Sequence, residues 1–187
     1  MERREALKKI AYLMGGAISA TTMGVLFESF TVLDPQQKNT YNYSATDEEI
    51  LGEFSEIILP TTAKSPGAKE AGVGALIALI MKDCYPSNLQ NVFKKGFDEM
   101  LALSKTKFNK EFMSLNSEEK NQLMNQLKQQ TIDNNKEASF FLIARDLTIL
   151  GYFSSEIGCT MAREYLPIPG KYDGNADYTT GQKAWAI

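Results

Sequence analysis

The residue types that most often carry out chemistry are scarce in this 187-residue chain. It contains no histidine, which removes the usual general base near neutral pH, the commonest metal ligand and the histidine axial ligand of haem. Cys84 and Cys159 are its two cysteines, too few for a four-cysteine zinc site, a CxxCH haem attachment site or a full set of iron–sulfur ligands. Catalysis by this chain would have to use carboxylates, Lys, Tyr, Ser or Cys, so the composition favours a non-catalytic chain.

Three remaining features could carry chemistry, and each has a structural alternative. Cys84 and Cys159 could form a disulfide in an oxidising compartment, or could be two buried thiols. The adjacent Arg145 and Asp146 are more typical of a helix-surface or partnered pair than of a catalytic one. The small residues of 60–72 lack the G-x-x-x-x-G-K-[ST] order of a phosphate-binding loop, so we expect a surface loop there. The absence of any Glu-x-x-His pair excludes the usual helical di-iron bundle.

The overall charge argues against nucleic-acid binding. The chain has a formal net charge of −3, whereas nucleic-acid-binding proteins present a basic face. A content of 43% hydrophobic and 23% charged residues is ordinary for a globular domain. The length suits one domain with appendages.

The N-terminus predicts an export signal. Residues 1–27 combine a basic start with an uncharged, mildly apolar run over 10–27, and the adjacent Arg3 and Arg4 resemble the twin-arginine type. The alternative is a surface amphipathic helix with an incidental arginine pair. The segment could be cleaved, or could stay as a membrane anchor at the short limit for a span. Residues 28–45 are predicted to be a polar linker.

Hydrophobic periodicity predicts helices through the body of the chain, and sustained two-residue alternation is absent. The predicted helical segments are Thr46–Ile58, Val73–Tyr85, Leu89–Leu103, a helix starting at Asn116 and running through Leu127, and Glu137–Phe153. Thr46 and Asn116 are the predicted helix caps, each followed three residues later by Glu. We therefore predict an all-α domain over 46–187, with about five or six compactly packed helices.

The C-terminal tail, 165–187, is predicted to be irregular but not disordered. It is rich in proline and glycine, which break regular structure, yet it also contains three tyrosines and the single tryptophan. Such a segment is expected to cover something. The sequence leaves open whether it covers its own domain or another chain.

Several blocks of sequence resemble one known family. These are Gly151–Gly158, Tyr165–Gly174 and Lys183–Trp185 near the C-terminus, and Ile57–Thr62, Ser65–Ala68 and Gly72–Gly74 earlier in the chain. Together they resemble the subunit 3 family of gluconate 2-dehydrogenase. The twin-arginine start fits that family too.

The resemblance implies a small accessory subunit of an FAD-dependent dehydrogenase complex. In that family the large partner carries FAD and oxidises gluconate or related sugars and polyols, and a cytochrome c subunit with haem c often passes the electrons on. The small subunit would bind no cofactor itself. It would escort the flavoprotein through the twin-arginine translocase to the periplasm and stabilise it there.

Within the tail, the resemblance makes a flavoprotein the expected partner. The expected contact residues are Tyr165, Pro167, Tyr172, Tyr178 and Trp185. Tyr and Trp are enriched at interface cores, and proline pre-sets an extended backbone. Two other classes stay open: a stand-alone envelope protein that binds a ligand or acts as a scaffold, and a cryptic enzyme that uses Asp, Glu or Tyr.

Overall fold

Five α-helices account for most of the residues described in the computed structural model, namely 41–133, 138–168, 170, 174–175 and 177–186. They are α1 (Ala45–Ile58), α2 (Val73–Asp83), α3 (Ser87–Phe108), α4 (Ser117–Asp133) and α5 (Phe140–Ser154), with a 3₁₀ turn at Phe112–Ser114 and a π-helical turn at Gly158–Ala162. Within this described part, β pairing is limited to a single bridge between Glu164 and Trp185. The all-α prediction is confirmed. The signal residues Arg3 and Arg4 lie outside the described residues, as does Tyr172.

The two predicted helix caps have different outcomes. Helix α1 is capped by Ser44, whose Oγ accepts from the Asp47 N–H at 3.2 Å while the Asp47 carboxylate accepts from the Ser44 N–H at 2.9 Å. The predicted cap at Thr46 is therefore wrong by two residues, because Ser44 and Asp47 form the same reciprocal pair two residues earlier. At α4 the predicted cap is confirmed: the Asn116 side chain accepts from the Glu119 N–H at 2.8 Å.

Helix α3 runs to Phe108, beyond the predicted end at Leu103. Residues 105–107 are polar and exposed, so hydrophobic periodicity fades before the helix ends. Asn109 stops it with a positive φ of 53°, a conformation that asparagine tolerates better than most residues.

The core is centred on the Phe140 ring at the start of α5. Its centroid lies 5.1 Å from that of Phe54 on α1, and 4.9 Å and 5.9 Å from those of Phe93 and Phe97 on α3. All four side chains are buried. Tilted and edge-to-face contacts at these separations stabilise beyond area burial alone, so Phe140 joins three helices.

Helices α1 and α2 cross at two glycines. A Cβ built on Gly74 would lie 2.2 Å from the Glu48 carbonyl oxygen and 2.5 Å from the Gly52 nitrogen. These are backbone atoms, which cannot move aside as a flexible side chain can. The α1–α2 pair can therefore pack this closely only with glycine at position 74.

Helix α5 is fixed against this pair by a buried polar contact. Ser55 Oγ of α1 and Thr148 Oγ1 of α5 lie 3.1 Å apart, and both residues are fully buried. Each hydroxyl is also within hydrogen-bonding distance of a carbonyl of its own helix, so neither is left unsatisfied. None of the described helices is both long and apolar enough to cross a membrane.

The glycine crossing gives a matched pair of predictions. Gly74→Ala should lower the free energy of unfolding by about 1–3 kcal/mol, because the added methyl group meets backbone. Gly52→Ala is the control: its Cβ would meet only Lys69 Cγ at 3.7 Å, an ordinary contact, so stability should stay unchanged or rise by up to about 1 kcal/mol. Urea unfolding of both variants measures the difference. Equal effects would show that the crossing does not limit residue size at position 74.

Candidate partner-binding surface

The loop over 59–72, between α1 and α2, is organised by one carboxylate. Glu56 accepts hydrogen bonds from the Thr61 N–H at 2.7 Å, the Thr61 hydroxyl at 2.8 Å and the Lys69 N–H at 3.0 Å. A Cβ on Gly67 would lie 2.2 Å from a Glu56 carboxylate oxygen, so a larger residue there would have to displace that carboxylate from the loop. The loop therefore has a defined shape set by Glu56, and the interpretation of a phosphate cradle has no support in its geometry.

Tyr152 joins this loop to the end of α5. Its hydroxyl donates to the Pro66 carbonyl oxygen at 2.8 Å, and the residue is only 4% exposed. The contact brings together two sequence blocks, Ile57–Gly74 and Gly151–Gly158, that are far apart along the chain. The motifs behind the family resemblance thus meet on one part of the domain.

A tight turn follows α5. The Ser155 hydroxyl donates to the Tyr152 carbonyl oxygen at 2.7 Å and accepts from the Gly158 N–H at 3.0 Å. A Cβ on Gly158 would lie 1.8 Å from that same carbonyl, so the turn excludes any side chain there. The guanidinium of Arg163 then lies 4.6 Å from the Phe153 ring centroid, a cation–π contact that holds the start of the tail against α5.

The two ends of the C-terminal segment are held together. The Glu164 N–H donates to the Ala184 carbonyl at 2.8 Å, and the Ala186 N–H donates to the Glu164 carbonyl at 2.8 Å. The Lys183 ammonium also donates to the Met161 carbonyl oxygen. The end of the chain is therefore anchored beside the π-helical turn.

Large apolar side chains of this segment are exposed. The exposed fractions are 52% for Tyr165, 47% for Leu166, 81% for Ile168, 76% for Tyr178 and 51% for Trp185. Pro167 is exposed as well. No described residue beyond Ala162 is among the buried core residues or the partly buried hydrophobic residues that pack against them. In its described part, the tail does not complete the core of its own domain.

The ionisable groups near the loop are paired with one another. Glu53 of α1 forms ion pairs with Lys120, at 2.7 Å, and with Lys69. Hydrogen bonds from Lys120 and then Lys69 hold the pKa of Glu53 below its ordinary value. A cleft of about 300 Å³ lies beside these groups, between α1 and α4. The charged groups that line this cleft are paired with each other or accept hydrogen bonds from the loop, as expected of groups that stabilise the fold.

The other residues that the sequence offered for chemistry are the Arg145–Asp146 pair and the two cysteines. Arg145 and Asp146 form an exposed ion pair at 2.7 Å, as the sequence favoured. Cys84 and Cys159 are free cysteines in this structure. Cys84 is exposed, so the alternative of two buried thiols is wrong for it, whereas the partly buried Cys159 donates to the Phe153 carbonyl at 3.1 Å. Among the described residues, no three potential ligands cluster as a metal site would need.

The sequence analysis did not single out Glu56, which shapes the 59–72 loop, or Tyr152, which joins that loop to α5. A signal for Glu56 existed. An acidic side chain near the C-terminal end of α1 opposes the helix macrodipole, which favours cations there. Such a residue has a reason to be used elsewhere, and here it binds the backbone of the following loop.

Comparison with known families agrees with this geometry. The family model described as gluconate 2-dehydrogenase subunit 3 matches residues 45–170, which is more than half of the chain. The chain belongs to the gluconate 2-dehydrogenase subunit 3 family. The match begins at the first residue of α1 and extends into the tail, so it includes both motif blocks joined by Tyr152. No curated protein sequence and no solved structure gave a significant match.

The contact between Tyr152 and Pro66 predicts a stability effect specific to one hydroxyl. Tyr152→Phe should lower the free energy of unfolding by about 1 kcal/mol and reduce amide-exchange protection in the 59–72 loop, because the half-buried Pro66 carbonyl loses its donor. Tyr178→Phe is the control, since its ring is 76% exposed. Hydrogen exchange read by mass spectrometry, with urea unfolding, tests both. Unchanged loop protection in Tyr152→Phe would contradict the role given to this bond.

The lowered pKa of Glu53 predicts acid sensitivity. Because the folded-state pKa lies below the unfolded value of about 4.5, ionised Glu53 stabilises the fold above that value, and its contribution is lost as the pH falls through the lowered pKa. Glu53→Gln should cost about 1–2 kcal/mol at pH 7 and flatten the fall in stability below about pH 4.5. The control Glu99→Gln changes an exposed pair 3.9 Å from Lys95 and should keep the native profile. Urea unfolding across this pH range would contradict the assignment if both variants behaved alike.

Proposed function

We propose that this chain is the small, non-catalytic subunit of an FAD-dependent dehydrogenase complex, and that it binds the flavoprotein through its C-terminal tail. The observation that carries the proposal is the exposure of Tyr165, Tyr178 and Trp185 on a segment whose ends are anchored to the domain. Family membership supports a complex of this kind. The oxidation of gluconate, or of a related sugar or polyol, would occur on the large subunit.

The chemistry of the tail suits a stable interface. Tyrosine and tryptophan supply large contact areas with little conformational entropy to lose, and they dominate interface hot spots. Holding the two ends together before binding lowers the ordering cost further. Pro167, which is exposed in the same segment, also restricts the backbone and so lowers this ordering cost.

The carboxylates near this surface support a non-catalytic role. Glu56 already accepts three hydrogen bonds from the loop, and Glu53 is shared between two lysines. Groups so engaged are poor general acids or bases, because a proton transfer would break the contacts that hold the loop. FAD belongs to the large subunit in this proposal, and haem c to a cytochrome subunit where one is present.

The export part of the proposal rests on Arg3 and Arg4. A twin-arginine signal directs folded proteins to the periplasm, so a partner without its own signal can cross only while firmly bound. The small subunit would then serve as an escort, and its tail would provide the holding contact. A signal that stays uncleaved would also anchor the complex to the inner membrane.

Removing two exposed aromatic side chains should weaken the complex. Tyr178→Ala combined with Trp185→Ala is expected to reduce affinity for the flavoprotein about 30-fold or more while leaving the helical fold intact, because neither side chain is in the core. The measurement is the amount of this chain that co-purifies with a tagged, co-expressed flavoprotein. Ile132→Ala is the control, since Ile132 is 58% exposed on α4, outside the tail. Recovery of the native chain only as a monomer would instead favour a stand-alone envelope protein.

Changing both signal arginines should prevent export of the flavoprotein. With Arg3→Lys and Arg4→Lys, the flavoprotein is expected to stay in the cytoplasm, where fractionation and gluconate-dependent dye reduction can locate it. Arg145→Lys is the matched control, because it changes an arginine of the folded domain and should leave export unchanged. A flavoprotein that still reaches the periplasm in the double variant would disprove the escort role.

A further inference from the structure

The bridge at the base of the tail uses only one side of the backbone around Trp185. Glu164 bonds to the Ala184 carbonyl and to the Ala186 N–H, each at 2.8 Å, in a parallel arrangement. In such a pair the residue between the two bonded neighbours directs its own N–H and C=O to the opposite side of the strand. The backbone groups of Trp185 therefore point away from Glu164.

These two outward groups are the open side of an isolated parallel bridge. Within the described part of the chain, no group accepts from the Trp185 N–H or donates to its carbonyl oxygen. Trp185 is 51% exposed, and Ala184 is exposed beside it. Proteins commonly protect such edges with a lysine, but the Lys183 ammonium is drawn back to the Met161 carbonyl.

We propose that the outer edge of residues 184–186 binds an extended strand of the flavoprotein subunit by β-augmentation. The inference deepens the proposed function and rests on it, since it states how the tail holds its partner. An N–H and a C=O that point the same way from one residue are complemented by an extended backbone, which offers both groups at the matching spacing. A helix has no free backbone groups along its length, so it cannot make this pair of bonds. The Trp185 ring would cover the added strand on one face.

A proline substitution separates the backbone contribution from that of the side chain. Trp185→Pro removes both the outward N–H and the ring, whereas Trp185→Ala removes only the ring. The bridge to Glu164 uses atoms of Ala184 and Ala186, so both variants can keep it. Proline also favours an extended conformation in the residue before it, as a bridge requires. Exchange protection of the Ala186 amide in each free variant checks that the bridge persists.

The experiment uses the full chain co-expressed with its tagged flavoprotein. Trp185→Ala should weaken the complex about 30-fold, and Trp185→Pro should weaken it at least about threefold further, because one more hydrogen bond is lost. In the native complex the Trp185 amide should gain exchange protection that it lacks in the free chain.

The outcomes distinguish this inference from the proposed function. If the native complex forms but Trp185→Pro binds as well as Trp185→Ala, or the Trp185 amide gains no protection, the strand contact is overturned while the subunit role stands. Protection gained in the free chain as its concentration rises would show that a second copy covers the edge, which also overturns the inference. If the native chain does not hold the flavoprotein at all, both fail together.

Discussion

The close crossing of α1 and α2 is the constraint on which the rest of this structure depends. It exists because Gly74 has no side chain to meet the backbone of α1. The crossing fixes both ends of the loop over 59–72, so one carboxylate, Glu56, can reach amides on both arms of that loop. Helix α5 then packs against the same pair, and Tyr152 reaches the loop. The close approach at Gly74 therefore allows the 59–72 loop and the end of α5, which carry motifs far apart in the sequence, to come into contact.

Charged groups in this domain serve architecture. Glu53 lies between Lys69 and Lys120, and Glu56 accepts three hydrogen bonds from backbone and hydroxyl donors. A buried or half-buried carboxylate needs such partners to offset its lost hydration, and a carboxylate with all its partners in place has little capacity left for proton transfer. This use of the acidic residues agrees with the proposed role as a subunit that supports another chain's chemistry.

The tail combines two properties, exposure of its described aromatic residues and anchoring of its two ends. The described aromatic residues are 51–76% exposed, and the bridge from Glu164 to Ala184 and Ala186 keeps the ends of the segment in place. Exposure leaves apolar area for a partner to bury, and anchoring limits the entropy lost when it does. In a segment needed only by the domain's own core, Tyr165 and Trp185 would be buried, whereas both are about half exposed here.

The sequence by itself determined the helical class, the approximate position of each helix and the family, because hydrophobic periodicity and short motifs are local properties of the chain. Local reasoning placed the cap of α1 two residues late, at Thr46, because two overlapping patterns compete and only backbone geometry selects Ser44. The tertiary structure alone decided that Glu56 shapes the loop, that Tyr152 joins it to α5 and that the described tail faces outward. Each of these depends on which distant backbone atoms come within hydrogen-bonding reach, and spacing along the chain does not encode that distance.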